Sequence, residues 1–408
     1  MKPANTPHAA CLALVWISLL TCAFSAASAM PAAVPEKAAA LDQLVADVCN
    51  RQTVLLGEDG HHGSGATSAA KVELVSRLIA ECGFNAVYFE SSIYDFVDFQ
   101  RQLDHGSATP EMLADAIGGL WSTTSETDPL IASLFVQAKS GAVSLAGLDP
   151  TLGSATSVYT KVGLPQEITQ YLAPARRKEC AFEIARMTGW LYEDEQQIRD
   201  APERLQSCAA DIQRSLSGHD SLDPKGIVAV MAANFRHHLS LSADDSYNSR
   251  EQAMYDNFLW YHSHQPNHTK IIVWCATVHA AKDLAFLVAD RRTLGSLIHS
   301  LQNDKTATIG FSALGGSYGR NAKSMNALAM APADSLESRA FEGQKGEQVY
   351  LDSKRLTSLG TISARALDYS KPTQAQWADV VDGMLVLREE HPVHSVRKAS
   401  PQQKMPAS

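Results

Sequence analysis

Beyond residue 29 the chain has no apolar run near the roughly 20 residues that a membrane-spanning helix needs, so no helix should cross a bilayer. Basic residues are also in short supply, 35 against 44 acidic ones. That balance argues against a nucleic-acid partner and against an anionic membrane surface, both of which favour basic faces. No CxxC pair occurs, which removes zinc-ribbon and thioredoxin-like sites. Neither a Walker loop nor a GxGxxG fingerprint is present, so the usual glycine-rich phosphate cradles are missing. No serine is visibly paired with a histidine as a serine-hydrolase elbow would require, and no internal repeat is found.

What is there begins with a leader. Lys2, an apolar core from Cys11 to Phe24 and the triplet Ala27-Ser28-Ala29 have the layout of a secretory signal peptide spanning 1–29. Its removal leaves 34 basic and 44 acidic residues, a net charge of −10, and an exported protein, periplasmic or secreted, with no membrane attachment. Five cysteines remain: Cys49, Cys82, Cys180, Cys208 and Cys275. Pairs are expected in an oxidising compartment, and any four allow three connectivities. Position favours Cys49–Cys82, each shortly before an apolar strand, and Cys180–Cys208, on two successive helical segments. Cys275 lies inside an apolar strand and reads as a buried free thiol.

After a helical lead over 38–48, short β-rich runs alternate with longer helical stretches. The strands are TVLL (53–56), AVYFE (86–90), VSLAGL (143–148), IIVWCA (271–276), TIGFSA (308–313), QVYLD (348–352) and MLVLRE (384–389). Val72, Val75, Leu78 and Ile79 recur at helical spacing until Cys82-Gly83 ends that helix. The expected fold is therefore α/β, with a mainly parallel or mixed central sheet and helices on both faces. A helical insertion or lid is expected over about 162–264, within one domain of 30–393, followed by a disordered tail from His394 to residue 408.

The ionisable residues fall in a pattern. LLGE ends in Glu58, AVYFE in Glu90, LAGLD in Asp149, and VWCATVH reaches His279 just past its strand. Ligands bind at the carboxyl edge of open parallel sheets, so Glu58, His61, His62, Glu90, Asp149 and His279 are expected in one cleft. Each has a plainer reading. Asp149 before Pro150 suits helix capping as well as chemistry, and Ser91-Ser92 could cap in place of a functional Glu90. His237-His238 fits a helix edge, and the other scattered histidines fit the solvated surface. Glu58, His61 and His62 on the glycine-rich stretch LLGEDGHHGSG are the strongest candidates. Histidines with carboxylates make a kit for activating water, directly or on a metal: neutral imidazole accepts the proton and a carboxylate fixes its tautomer.

These motifs resemble the erythromycin esterase family. LLGEDGHHG is similar to its opening LGExxHG, GLD (147–149) to its GFD turn, and SREQAMYDNFLWYHSHQPNHTKIIVWCATVH to RDxxMAxNxxWL followed by KIIVWAHNxH. The resemblance implies hydrolysis of an ester or lactone, such as a macrolide lactone, with the antibiotic resistance that would follow. By that resemblance His61 is the general base, Glu58 and Glu90 its carboxylate partners, and His279 orients water or stabilises the oxyanion. Lys71, Asp149 and Arg250 are then the substrate-binding set, with a structural salt bridge as the alternative for Arg250. The sequence departs from the pattern twice. Ala276 replaces the first histidine of VWAHNxH, and the opening loop carries one extra residue. Counting forward from Glu58 makes His61 the base; counting back from Lys71 makes it His62. No cofactor is expected. The alternatives are zinc on Glu58, His61, Glu90 and His279, a metal- or haem-binding protein, and a non-catalytic homologue on the same fold.

Overall fold

The computed structural model describes residues 36–153, 157–216, 223, 225–241, 246–320 and 324–396, so the expected signal peptide over 1–29 and the chain beyond 396 lie outside the described residues. Helix α1 (Glu36–Val48) leads into strand β1 (Thr53–Leu56) and helix α2 (Gly65–Cys82). Strand β2 (Ala86–Ser92) precedes α3 (Ile93–Asp104), α4 (Pro110–Ile117), α5 (Asp128–Lys139) and β3 (Ser144–Asp149). A helical stretch follows: α6 (Tyr159–Ile168), α7 (Pro174–Gly189), α8 (Glu195–Leu216), α9 (Ile227–Ser240) and α10 (Ser246–Ser263). Then come β4 (Ile271–Trp274), α11 (Thr277–Ala280), α12 (Leu294–Gln302) and β5 (Thr306–Ala313). The remaining strands are β6 (Gly316–Tyr318), β7 (Asn326–Leu328), β8 (Gln348–Asp352), β9 (Thr361–Ala364), β10 (Thr373–Gln376) and β11 (Gly383–Leu387).

The seven strands expected from sequence build one sheet in the order β3-β2-β4-β1-β5-β11-β8. Every pairing is parallel except β11 with β8. TVLL and IIVW are buried along their whole length, as strands covered on both faces must be. Their side chains alternate between two cores. Val54, Leu56, Ile272 and Trp274 pack with Leu44, Leu74 and Leu78 of α1 and α2. Leu55, Ile271 and Val273 face Met254 and Phe258 of α10 and Ile298 of α12. The pairs β6–β7 and β9–β10 form separate two-stranded antiparallel sheets that the sequence patterning did not signal.

The helical stretch divides physically. Helices α6 to α9 share their own apolar cluster, in which Leu164, Ile184, Leu205 and Phe235 pack with Ile93, Tyr94 and Val97 of α3. Helix α10, placed by sequence in the same insertion, instead covers the sheet directly. Both expected disulfides are present, Cys49–Cys82 and Cys180–Cys208, and Cys275 is a buried free thiol. Residues 394–396, expected in a disordered tail, are instead held by the body of the protein: Val396 N–H donates to the Thr123 carbonyl at 3.0 Å, and Ser395 bridges Thr124, while the rest of the expected tail lies outside the described residues. Those contacts are tertiary, so no local periodicity announces them.

Candidate active site at the carboxyl edge of the sheet

Because β4 lies between β2 and β1, the residues that leave these three strands meet at one edge. Glu58 leaves β1 through Gly57, where a Cβ would stand 2.6 Å from Thr277 Oγ1 and 2.8 Å from its Cα. Only glycine allows the α11 turn so close, and the Thr277 N–H then donates to the Glu58 carbonyl at 2.8 Å.

The Glu58 carboxylate is buried and fully engaged. Its Oε1 accepts from His62 Nδ1 at 2.8 Å and from Trp121 Nε1 at 2.7 Å, and its Oε2 accepts from Lys71 Nζ at 3.0 Å. Burial alone would raise its pKa, but the Lys71 charge and the donated hydrogen bonds overcome this and hold it at about 2. Burial pulls the Lys71 ammonium below its usual value while Glu58 opposes that shift. Lys71 also lies 4.2 Å over the Trp274 ring, which further favours the cation.

The two histidines of the opening loop separate. His62 sits at φ 52°, with its side chain 12% exposed and its ring edge-on to Trp121 at 5.3 Å. Its Nε2 has no hydrogen-bond partner among the described residues. His61, favoured by forward counting, turns away: its side chain is 44% exposed, with Nδ1 on Asp59 at 3.1 Å and on Asp368 at 3.7 Å. The imidazole that Glu58 holds is therefore that of His62.

A second charged group abuts this one. Glu90 Oε1 lies 3.0 Å from both Arg250 Nη2 and His279 Nε2, and its Oε2 accepts from the Ala276 N–H at 2.9 Å. Arg250 Nη2 also donates to Asp149 at 2.5 Å, and Asp149 Oδ1 accepts from the Thr151 N–H at 2.8 Å. The salt bridge expected as the alternative for Arg250 is therefore present, while Asp149 holds a loop N–H and caps no helix, since α6 begins only at Tyr159. Burial raises the pKa of Glu90 and of Asp149, but His279 and Arg250 for the first, and Arg250 for the second, hold each carboxyl below its usual range.

Sequence reasoning missed Glu251. Fully buried, it hydrogen-bonds His279 Nδ1 and accepts from the Leu294 N–H at 2.7 Å, at the start of α12. Burial would lower the His279 pKa, but Glu251 and Glu90 push it to about 10. Its Nε2 lies 3.0 Å from Glu90 Oε1 as an ion pair and 3.0 Å from Arg250 Nη1. Trp121 was missed too. The only hint for either residue was adjacency, Glu251 to the Arg250 of the motif.

The four groups expected to hold zinc do not offer converging free donors. The oxygens of Glu58 and Glu90 are taken by Lys71, His62, Trp121, Arg250, His279 and the Ala276 N–H. The letters GxSxG do occur at Gly315–Gly319, but Ser317 lies in the antiparallel β6–β7 pair, not on a strand-to-helix elbow. A cleft of about 200 Å³ opens beside Glu90, Trp121 and Asp149, with Ser92, Asp95 and Ser157 in its wall.

One expectation concerns pH. His279 has a folded pKa of about 10, above the ~6.5 of an unfolded histidine. Its contribution to stability is complete below the unfolded value and is lost as pH rises through the folded one. Urea unfolding of the wild type should therefore lose a few kcal/mol between pH 7 and pH 10 that His279→Gln does not lose. Equal alkaline slopes in the two proteins would show that His279 is neutral.

A sequence model of the erythromycin esterase family, described as "Erythromycin esterase", matches residues 79–390. No curated protein matches the sequence. Among solved structures, a Bacillus cereus protein is similar at a TM-score of 0.66 and 17% identity, covering 88% of this chain and 93% of that one. A succinoglycan biosynthesis protein is similar at 0.64 and 17%, covering 87% and 92%. A mutant of erythromycin esterase EreC in its open conformation is similar at 0.61 and 12%, covering 86% and 94%. At such identities these structures speak to the fold. The family match takes in Glu90, Asp149, Arg250, Glu251 and His279 but starts after the loop that carries Glu58 and His62.

Proposed function

Since the chain belongs to the erythromycin esterase family, we propose that it is a hydrolase that cleaves an ester or lactone by attack of water, with His62 as general base. The observation that carries this reading is the Glu58–His62 pair: Nδ1 held by a buried carboxylate, Nε2 left over, with both residues against Trp121, which lines the cleft. The carboxylate fixes the tautomer with its lone pair on Nε2, and it stabilises the imidazolium that forms when water gives up its proton.

In this reading Arg250 is the substrate-facing cation: its side chain is 25% exposed, and a guanidinium suits an oxyanion or a product carboxylate. His279, held as a cation between Glu251 and Glu90, is a strut that places Arg250 rather than a second base. Lys71 and Arg250 supply the positive charge of the site, so no metal is invoked for the reaction. The cleft is smaller than the ~300–1,000 Å³ usual for drug-sized ligands, which favours a compact polar acyl group over a macrolide ring. Two disulfides and the leader-like first 29 residues support an exported protein.

The test is turnover by the mature chain on a panel of short and hydroxylated esters and lactones, with a macrolide included. Chelator-insensitive hydrolysis that incorporates solvent oxygen into the acid product is the expected result. Binding of panel members with no turnover, unaltered in His62→Asn, would favour the non-catalytic reading, to which the Ala276 replacement already lends some weight.

A further inference from the structure

Apart from the proposed catalytic groups, Glu126, His391 and His394 bring one donor atom each to within 4.8 Å of one another. Glu126 precedes α5, and the two histidines form the sequence HPVH after β11. The Glu126 side chain is only 6% exposed, and imidazole is its sole ion-pair partner among the described residues. Its carboxylate accepts from the His394 N–H at 3.1 and 3.2 Å and from His394 Nδ1 at 2.6 Å.

The His391 ring stands 5.2 Å from that of His394. His391 is fixed from both sides. Its Nδ1 donates to the Pro392 carbonyl at 2.9 Å, which leaves Nε2 with its lone pair. The ring also occupies space that only a glycine leaves open, since a Cβ on Gly65 would lie 2.5 Å from His391 Nδ1. A ligand histidine whose other nitrogen is held by a backbone carbonyl is the arrangement metal sites use to orient imidazole.

We propose that Glu126, His391 and His394 form a zinc site with water as the fourth ligand. Two imidazoles and one carboxylate match the donor preference of Zn²⁺. Zinc takes the place of the proton shared between His394 Nδ1 and Glu126. Ligand atoms on a tetrahedral zinc lie about 3.3 Å apart, so His394 Nδ1, now 2.6 Å from Glu126, would swing back by about 0.7 Å, and donors as far as 4.8 Å apart would close by up to ~1.5 Å. The ion then ties the segment after β11 to the loop that carries Trp121, whose indole holds Glu58.

The experiment uses untagged, full-length protein stripped with chelator and titrated with ZnCl₂ by calorimetry at pH 7.5. One zinc per chain is expected, with a rise in melting temperature. His394→Ala, which alters an exposed side chain, should weaken binding at least ~100-fold and abolish the thermal shift. Asp368→Asn, which alters the other metal-capable group, Asp59–His61–Asp368, should leave both unchanged. Failure of the wild type to bind zinc stoichiometrically overturns the proposal. So does binding that survives His394→Ala or is lost in Asp368→Asn. Neither readout depends on catalysis, so the zinc site and the hydrolase reading can fail separately.

Discussion

Replacing His62 by asparagine should lower kcat for ester hydrolysis by about 10³-fold or more, while His61→Asn should cost less than about fivefold. A positioned general base contributes roughly 10²–10⁴, and one that acts as a unit with its carboxylate can contribute more. Asparagine is chosen because the residue sits at φ 52°, which asparagine tolerates better than most residues. His61, with its ring on Asp59 and its side chain 44% exposed, has no share in the Glu58 pair. Steady-state kinetics on whichever panel ester turns over best, with the far-ultraviolet circular dichroism unchanged, makes the comparison. If His61→Asn is the more damaged of the two, the base has been misassigned, and forward counting from Glu58 was the right register.

Lys71→Met should be the most destabilising exchange in the site, by about 3–5 kcal/mol, because it leaves a buried carboxylate without its cation. The sign of its pH dependence identifies the cause. In the wild type the Glu58 pKa is held at about 2, so this acid contributes stability above its unfolded value of ~4.3 and loses it only as pH falls through the folded one. Without Lys71, burial dominates and the folded pKa rises above the unfolded one. Protonation then becomes favourable, and the stability difference between variant and wild type shrinks as pH is lowered from 7 to 5. Urea midpoints at the two pH values measure this. A difference that is constant with pH would mean the loss is one of packing against Trp274 and not of charge.

Much of the scaffold was legible because its signals are local. Uninterrupted β-branched and aliphatic runs such as IIVW mark strands buried on both faces, and TVLL, AVYF and SLAGL each lead within two residues to an acid. Cys49 and Cys82 could be paired because each lies just before a strand of the sheet. The choice between His61 and His62 was not legible. It depends on a left-handed backbone residue that sends adjacent imidazoles to different carboxylates, and counting residues cannot resolve that. Glu251 and Trp121 escaped notice for a related reason. Their partners, His279 and Glu58, are 28 and 63 residues away, and neither residue belongs to a spacing pattern. The short β6–β7 and β9–β10 pairs have too few residues, several of them exposed, for alternation to register.

The separate apolar cluster of α6 to α9 rests on α3, while the charged groups hang from the ends of the strands and from α2 and α10. No residue of 159–240 lines the cleft beside Glu90 and Trp121, so that cluster buttresses α3 and leaves the cleft wall to the ends of β2 and β3 and to α4. Grafting residues 159–240 from a relative should therefore leave both the cleft and its proton chemistry intact, and the matching substitution in α3 would be the one adjustment such a chimera demands.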